Sequence, residues 1–283
     1  MKKLLITGAG SYIGEAVAAH WERLTGVAPQ TVDMRGESWR QVDFHGFDAV
    51  LHVAGIAHQR ETEENAADYY AVNRDLAIAV AEKAKTEGVG QFILMSSMSV
   101  YGLVTGHITA ATQPAPNTHY GNSKLQAENA LFDLANESFH VAILRPPMVY
   151  GKGCRGNYPR LAALAARLPL FPRVDNQRSM LYIDCLSAFL AQLVESGQGG
   201  LYFPQNKDYV STSDLVREIA HARGKTLRQP RGFGWFINLL APRVPTVGKL
   251  FGSLTYDKDM SRDFSDEPQP SFAETIRKTE ARS

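Results

Sequence analysis

Tyr120 and Lys124 stand four residues apart, a spacing that puts both side chains on one face of an α-helix. Ser97 lies upstream, at the end of an apolar run. A tyrosine whose pKa of about 10 is lowered by a nearby ammonium group can exchange a proton with a substrate oxygen. A serine hydroxyl can hydrogen-bond and orient that oxygen. These residues predict proton transfer at a hydroxyl or ketone group, although Tyr120 and Lys124 alone would also fit an ordinary surface helix.

A glycine-rich turn, TGAGSYIG at residues 7–14, follows a short apolar strand and opens a helical pattern. Gly8 and Gly10 permit a tight turn and a close approach of the backbone to a pyrophosphate. The N-terminus of the following helix offers free N–H groups and partial positive charge to the same anion. Gly14 falls where that helix must pack closely against the strand. Strand, turn and helix in this order predict a dinucleotide site rather than an incidental turn.

Asp33 ends the second predicted strand, 19 residues after Gly14. A carboxylate there can bind both ribose hydroxyls of NAD and would repel the 2′-phosphate of NADP, whereas Arg35 could accept that phosphate. We therefore expect NAD(H), with NADP(H) as the alternative. A nicotinamide cofactor makes the chemistry of Tyr120 hydride transfer coupled to proton transfer. Its oxidised ring would be a second cation, beside Lys124, that lowers the pKa of the phenol.

Strands alternate with helices through the first half of the chain, which implies parallel pairing through right-handed crossovers. The predicted strands are 4–6, 31–33, 48–54, 91–97 and 140–145, and the predicted helices begin near residue 13 and cover 67–87 and 120–136. Beyond Gly151 the pattern loosens, with helices expected near 157–168, 184–195 and 213–222. We predict an α/β doubly wound parallel sheet with a smaller second lobe, and a ligand cleft beyond the carboxyl ends of the strands.

These segments together resemble the extended short-chain dehydrogenase/reductase family, in particular its nucleotide-sugar epimerase/dehydratase branch. The matching segments, in family order, are TGAGSYIG (7–14), Asp33, HVAG (52–55), Asn73, SSMSVYG (96–102), YGNSK (120–124), RPPMVYG (145–151) and RSMLYID (178–184). The resemblance implies a Rossmann-type sheet built from residues 1–150 and roughly 178–200. It also implies a small C-terminal substrate-binding lobe built from 151–177 and 201–283, and a homodimer formed through the helices that include 120–124.

The same resemblance implies roles for individual residues. Ser97, Tyr120 and Lys124 match the catalytic positions, and Lys124 also matches the residue that contacts the nicotinamide ribose. The implied cofactor contacts are Gly8, Gly10, Ser11, Tyr12, Ile13, Gly14, Asp33, Arg35, Ala54, Gly55, Asn73, Ser96, Tyr120, Lys124 and Pro147. The implied substrate contacts are Ser97, Ser99, Met148, Asn157, Arg160 and Arg178, of which Asn157 and Arg160 fit the start of a helix equally well. The fork of Arg178 suits a nucleotide diphosphate.

The chain departs from the family pattern in three ways. Ser11 replaces the usual middle glycine of the turn; it would still offer its backbone N–H and it adds a hydroxyl. Met148 stands where many members carry an asparagine near the diphosphate. The chain is also shorter than typical hexose 4-epimerases, mainly between Asp33 and Asp48 and at the C-terminus.

A narrower resemblance points to one reaction. The segments RPPMVYGKGCRGNYPRL (145–161), LPLFP (168–172), NQRSMLYI (176–183) and FPQN (203–206) look like compact reductases of bacterial surface-polysaccharide pathways. Those enzymes reduce the C4 ketone of a UDP-4-keto-6-deoxy-N-acetylhexosamine to UDP-N-acetylfucosamine or its C4 epimer.

We therefore expect an NAD(P)-dependent oxidoreductase acting at C4 of a UDP-linked hexose or N-acetylhexosamine, with 4-keto reduction favoured. The close alternative is a 4-epimerase with tightly bound NAD, which would use the same residues. A 4,6-dehydratase fits less well because Met98 and Ser99, rather than an Asp-Glu pair, follow Ser97. A non-catalytic dinucleotide sensor would be expected to lack Tyr120 or Lys124.

Composition narrows the range of partners. Thirty Lys+Arg against 29 Asp+Glu leave a formal charge of +1, so no net field draws the chain to nucleic acid. The chain has only two cysteines, Cys154 and Cys185, which predicts reduced thiols and a cytoplasmic location. No Cys/His pair has the spacing of zinc ligands, so we expect no metal site. No apolar run is long enough for a transmembrane helix. The apolar stretch 232–254 contains two prolines and is expected to pack on the protein rather than on a membrane surface.

Overall fold

Six parallel strands form the central sheet of the computed structural model, which describes residues 2–57, 59–230, 232, 248, 251–261 and 269–281. The strands are β1 (Leu4–Thr7), β2 (Gln30–Val32), β3 (Ala49–His52), β4 (Gln91–Met95), β6 (His140–Leu144) and β9 (Gly200–Tyr202). Their order across the sheet is β2-β1-β3-β4-β6-β9, and each neighbouring pair is parallel. The predicted doubly wound parallel sheet is therefore confirmed, with its switch in strand order between β1 and β3.

The stretch between β2 and β3 explains why only one strand, β2, lies beyond β1 on that side of the sheet. Within the described chain this stretch contains a short 3₁₀ helix, Ser38–Gln41, and no further strand. The 16 residues from Asp33 to Asp48 are too few for a helix followed by another parallel strand. Because the segment between β2 and β3 is this short, no further strand pairs with the free side of β2, and β2 forms the edge of the sheet.

Helices cover both faces of the sheet. They are α1 (Tyr12–Thr25), α2 (Ala66–Tyr70), α3 (Leu76–Thr86), α4 (His119–Leu134) and α6 (Ile183–Ser196). Within β1, Leu4 and Ile6 pack on the α1 side, whereas Leu5 packs on the α3 side. Burial of alternate residues on opposite faces explains why the strands are apolar without alternation. The apolar residues of α1 are buried at Val17 and Trp21, whereas Leu24 is 62% exposed.

One predicted helix is interrupted. The sequence pattern predicts a helix over 67–87, and the structure places α2 and α3 there with a π-helical turn, Ala71–Asp75, between them. A π turn inserts one residue into the helical ladder and shifts the side chains that follow. Asn73 lies in this turn and is fully buried.

The rest of the described chain packs at the carboxyl end of the sheet and beside it. Its elements are β5 (Gly106–Ile108), β7 (Met148–Tyr150), α5 (Asn157–Arg167), β8 (Met180–Tyr182), α7 (Thr212–Ala222), β10 (Leu254–Tyr256) and α8 (Phe272–Glu280). Two small parallel pairs, β5 with β10 and β7 with β8, hold it together. Ser211 is the N-cap of α7, and its side chain accepts the N–H of Asp214. Most of the apolar stretch 232–254 lies outside the described residues.

The helices of the described chain are short. Among those residues, none forms a helix with the length and apolar character that crossing a bilayer requires.

Candidate active site

A pocket of about 460 Å³ opens at the carboxyl ends of β1, β3 and β4, where open α/β sheets bind ligands. Many of the residues singled out in the sequence line it: Ser11, Tyr12, Ile13, Gly55, Ser96, Ser97, Ser99, Tyr120, Lys124, Pro147, Met148, Asn157 and Arg178. Others lie outside its lining: Gly8, Gly10, Gly14, Asp33, Arg35, Ala54, Asn73 and Arg160. A larger cavity, about 830 Å³, lies beside α1, α6 and α8 and contains none of the predicted site residues.

The glycine turn forms one wall of the pocket. Gly8 has φ +106°, and a Cβ there would lie 2.8 Å from the backbone nitrogen of Ala54, so only glycine fits. Ser11 is the N-cap of α1: its Oγ accepts the N–H of Gly14 at 3.2 Å. The N–H of Ser11 itself donates to the carbonyl of Gly8 at 3.1 Å. The expectation that Ser11 offers its backbone N–H to a ligand is therefore wrong for this structure, and its hydroxyl hydrogen is the group left to donate.

The loop after β3 forms the opposite wall. A Cβ on Gly55 would lie 2.8 Å from Oδ1 of Asn73 and 3.3 Å from Nζ of Lys124. Asn73 Oδ1 accepts the N–H of Ile56 at 2.8 Å, and its Nδ2 donates to the carbonyl of Ile56 and to Oγ of Ser123. The buried amide of Asn73 thus fixes the loop against α4 instead of facing the pocket. Gly55 lines the pocket, whereas Gly8 packs against the backbone of Ala54 just outside the lining, so both glycines permit close packing beside the pocket.

The first turn of α4 positions Tyr120. Thr118 is the N-cap and accepts the N–H of Gly121 at 3.1 Å. The carboxylate of Glu61, in the loop after β3, accepts the N–H groups of His119 at 2.9 Å and Tyr120 at 3.1 Å. A negative charge also complements the positive end of the helix dipole. The ring of Tyr69 packs edge-on against the ring of Tyr120, with centroids 6.4 Å apart.

Burial sets the ionisation of the tyrosine and the lysine. It raises the pKa of Tyr120, and a side-chain hydrogen bond with Ser97 opposes this effect. Burial lowers the pKa of Lys124 to about 8, and the charge of Glu128 opposes that shift. The Lys124 ammonium donates to the carbonyl of Met95 at 2.8 Å. The expectation that Lys124 makes the phenol acidic is wrong for this structure, since desolvation dominates and the ammonium group is directed to a backbone carbonyl.

Ser97 lies where β4 ends and a 3₁₀ helix, Met98–Tyr101, begins. Its Oγ accepts the N–H of Ser99 at 3.1 Å, and this bond caps the short helix. The N–H of Met98 donates to the carbonyl of Pro146, which ties this segment to the end of β6. Ser97 therefore lines the pocket from a segment in which both neighbouring residues, Ser96 and Met98, donate backbone hydrogen bonds to the end of β6 and the residues after it.

Asp33 and Arg35 lie at the end of β2, beside the glycine turn. The carbonyl of Val32 accepts the N–H groups of Gly8 and Ala9. Both oxygens of Asp33 are engaged by the Arg35 guanidinium at 2.6–3.0 Å, and these hydrogen bonds lower the pKa of Asp33 to about 2. The exposed carboxylate is ionised at neutral pH, and a ribose would share it with Arg35.

A second cavity of about 320 Å³ adjoins the pocket. Met148, Asn157 and Arg178 line both, and Arg160 lines the second alone. Arg178 donates from Nη1 to the carbonyl of Gly252 at 2.8 Å, and burial lowers the pKa of its guanidinium. Three of the predicted substrate residues, Met148, Asn157 and Arg178, thus lie at the junction of the two cavities, whereas Ser97 and Ser99 line only the first.

Sequence reasoning missed several residues that shape the site. Arg155 and Leu254 line the pocket, and Glu61, Glu128 and Arg145 support its catalytic segments. Arg145 belongs to a segment that resembles the family, but its partner is 17 residues away. Glu61 acts on a helix 58 residues away. No local spacing could have linked these pairs.

Relatives are recognisable from the sequence. The chain is 28% identical over 278 residues to a UDP-glucose 4-epimerase of Vibrio cholerae, an alignment that covers 89% of this chain and 83% of that protein. It is 28% identical over 205 residues to the N-acetyl-alpha-D-glucosaminyl-diphospho-ditrans,octacis-undecaprenol 4-epimerase of Escherichia coli O157:H7. That alignment covers 70% of this chain and 61% of the relative.

Solved structures share the fold. A UDP-glucuronic acid 4-epimerase from Bacillus cereus, in complex with NAD, superposes with a TM-score of 0.73 at 19% identity and covers 98% of this chain and 96% of its own. A dTDP-4-dehydrorhamnose reductase from Bacillus anthracis, in complex with NADP, gives 0.71 at 18% identity, with 98% of both chains covered. The profile of the NAD dependent epimerase/dehydratase family matches residues 4–202, a span that holds the glycine turn and the Tyr120–Lys124 pair. The chain belongs to the NAD dependent epimerase/dehydratase family.

Proposed function

We propose that this chain is an NAD(P)-dependent oxidoreductase acting at C4 of a UDP-linked hexose or N-acetylhexosamine, and that its reaction is reduction of a 4-keto sugar. The observation that carries the proposal is the meeting of Ser97, Tyr120 and Lys124 in one pocket beside the glycine turn. NAD(H) is the favoured cofactor because Asp33 is ionised where a 2′-phosphate would lie.

The pocket residues suit ketone reduction. A reduced nicotinamide supplies a hydride when bound. Tyr120 donates a proton to the oxygen at C4, since its phenol is protonated at neutral pH. Ser97 hydrogen-bonds the same oxygen and orients it. Lys124 lines the same pocket, and by the family resemblance it contacts the nicotinamide ribose of the cofactor.

The junction of the two cavities suits a nucleoside diphosphate. Arg178 and Arg160 offer guanidinium groups, and Asn157 offers an amide, on the side of the pocket away from the glycine turn. Guanidinium groups bind phosphate oxygens through paired hydrogen bonds. The sugar would then lie between these groups and Tyr120. Ser99 and Met148 line the space beside it.

A 4-epimerase is the second candidate, and the names of the relatives favour it, since both relatives described above are 4-epimerases. An epimerase would use Tyr120 first as a base and then as an acid, and the keto sugar would rotate between the two steps. It would return its cofactor unchanged, whereas a reductase consumes one reduced cofactor in each turnover.

The experiment that separates the two uses purified protein with a panel of UDP-sugars and UDP-4-keto sugars. Absorbance of the reduced cofactor and chromatography of the sugar products are followed together. Stoichiometric loss of NADH or NADPH with a 4-keto sugar supports the reductase. Interconversion of C4 epimers without net cofactor consumption supports the epimerase, and turnover of no nucleotide sugar would reject both.

A further inference from the structure

Glu128 carries a fully buried carboxylate one helical turn beyond Lys124. Its side chain is 0% exposed and lies on α4 among apolar residues such as Ala127 and Leu131. Arg145, at the end of β6, donates to it from Nε at 3.1 Å and from Nη2 at 2.6 Å. Ser96 also donates its hydroxyl hydrogen to Oε1 of Glu128. The carboxylate is thus held from two strand ends.

Stability alone is a weak reason for such a pair. Removing two charges from water is costly, and well-packed apolar residues of the same volume often stabilise a fold equally or more. The role of the Glu128–Arg145 ion pair is therefore sought in the segments that it connects.

The contacts reach both sides of Ser97. Ser96, its immediate neighbour, donates to Glu128. Tyr101, at the far end of the 3₁₀ helix that Ser97 begins, accepts a hydrogen bond from Nη1 of Arg145 at 2.9 Å. Glu128 itself is part of the helix that carries Tyr120 and Lys124. One ion pair therefore joins the serine segment to the helix of the other two predicted catalytic residues.

The charge of Glu128 also acts on Lys124. Geometry brings the two groups to one segment, since Lys124 donates to the carbonyl of Met95 and the next residue, Ser96, donates to Glu128. The titratable groups that interact electrostatically with Lys124 are Glu128 on α4 and His52 on β3. Tyr120 lines the same pocket, and Arg145 is ion-paired with Glu128. Burial lowers the pKa of His52 to about 3, so this histidine is neutral at physiological pH and adds no positive charge near the ammonium. Burial also favours the uncharged amine of Lys124, and Glu128 opposes that effect.

We propose that Glu128 is a positioning residue of the active site: its carboxylate, oriented by Arg145, supplies the buried negative charge that keeps Lys124 protonated and joins the Ser97 segment to the helix of Tyr120. The part that concerns turnover rests on the proposed function. The part that concerns the charge of Lys124 does not, since it can be measured without substrate.

The test is a titration of lysine side chains by ¹³C NMR in wild type, in Glu128→Gln and in Tyr101→Phe, with the Lys124 signal assigned by its loss in Lys124→Arg. Glu128→Gln removes the charge and is expected to lower the pKa of Lys124 by about one unit or more. Tyr101→Phe removes one hydrogen bond of Arg145 without changing any charge, so it is expected to leave the Lys124 titration in place. In a turnover assay, the alkaline limb of the pH profile should shift to lower pH in Glu128→Gln by the same interval.

Glu128→Gln leaves Arg145 buried without its partner and can fail to fold. The double variant Glu128→Leu with Arg145→Met removes both charges and serves in its place. Because the positive charge of Arg145 is lost as well, the pKa of Lys124 is expected to fall by less than in Glu128→Gln. A Lys124 titration equal to that of wild type in whichever of these variants folds would overturn the proposal. Absence of turnover with every nucleotide sugar, together with a shifted Lys124, would instead count against the proposed function and leave this assignment standing.

Discussion

Tyr120 experiences two opposing influences in its pocket. Burial disfavours the phenolate and the hydrogen bond with Ser97 favours it, with burial the larger. That Tyr120, Lys124 and Ser97 would lie close together could be predicted from the sequence. Tyr120 and Lys124 share one helix face, and Ser97 follows the end of a strand. The direction of the pKa shift of Tyr120 could not be predicted, because desolvation depends on packing by residues from other elements, such as Tyr69.

Tyr120→Phe is expected to lower turnover of the 4-keto sugar by roughly a hundredfold to ten-thousandfold, the usual contribution of a general acid. Binding of the dinucleotide should change little, because the phenylalanine ring keeps the edge contact with Tyr69. Turnover by steady-state kinetics and dinucleotide affinity by fluorescence titration check this. Tyr70→Phe, at a neighbouring tyrosine whose hydroxyl contacts His119 rather than the pocket, is the matched control. Full activity in Tyr120→Phe would remove the phenol from the mechanism.

At the scale of elements, the start of α4 depends on a side chain from a distant loop. The sequence predicts a helix over 120–136, close to the observed His119–Leu134. It could not show that Glu61 occupies the first two N–H groups, because that contact spans 58 residues. The π turn at 71–75 could not be predicted from the sequence either, because periodicity favours a continuous helix. The hydrogen bonds of Asn73 with Ile56 and Ser123 join residues that are distant in the sequence.

Glu61→Ala is expected to reduce the free energy of unfolding by about 1 kcal/mol, the usual effect of losing a helix cap. Because the unpaired N–H groups belong to His119 and Tyr120, kcat should also fall, while the KM for the cofactor changes less. Urea unfolding and steady-state kinetics measure both quantities. Glu64→Ala removes an exposed carboxylate three residues along the same segment and serves as the control. Equal kcat in the Glu61→Ala and Glu64→Ala variants would show that the cap does not position Tyr120.

At the scale of the whole molecule, the sheet was predictable because each strand is a local apolar run and parallel pairing follows from the helices between runs. The part of the chain outside the central sheet was harder to predict, since its small sheets join distant segments: β5 pairs with β10, and β7 with β8. The candidate site depends both on local sequence patterns and on long-range pairings. Its walls follow from the glycine turn and the strand ends, whereas its supporting polar contacts come from pairings that no local pattern encodes.

His52 makes the stability of the central sheet sensitive to acid. Its ring is 0% exposed, it shares a hydrogen bond with Thr7 between β3 and β1 at 2.7 Å, and it stacks on Phe92. Burial first, and the charge of Lys124 second, lower its pKa from 6.5 to about 3. The unfolded chain therefore binds a proton below pH 6.5 that the folded protein refuses until about pH 3. The contribution of neutral His52 is complete above pH 6.5 and is lost as pH falls towards 3.

Each pH unit below 6.5 should cost about 1.4 kcal/mol from this residue, or about 2 kcal/mol at pH 5 relative to pH 8. His52→Asn destabilises the sheet at every pH through lost packing, but it removes this proton linkage, so its unfolding free energy should fall less steeply with acid than that of wild type. Urea unfolding from pH 8 to pH 5 measures both slopes, and His221→Asn, at an exposed histidine on α7, controls for loss of an imidazole. Parallel curves for wild type and His52→Asn would mean that the buried ring carries a proton in the folded protein. The sheet would then need a counter-charge for His52 at the edge where the pocket opens.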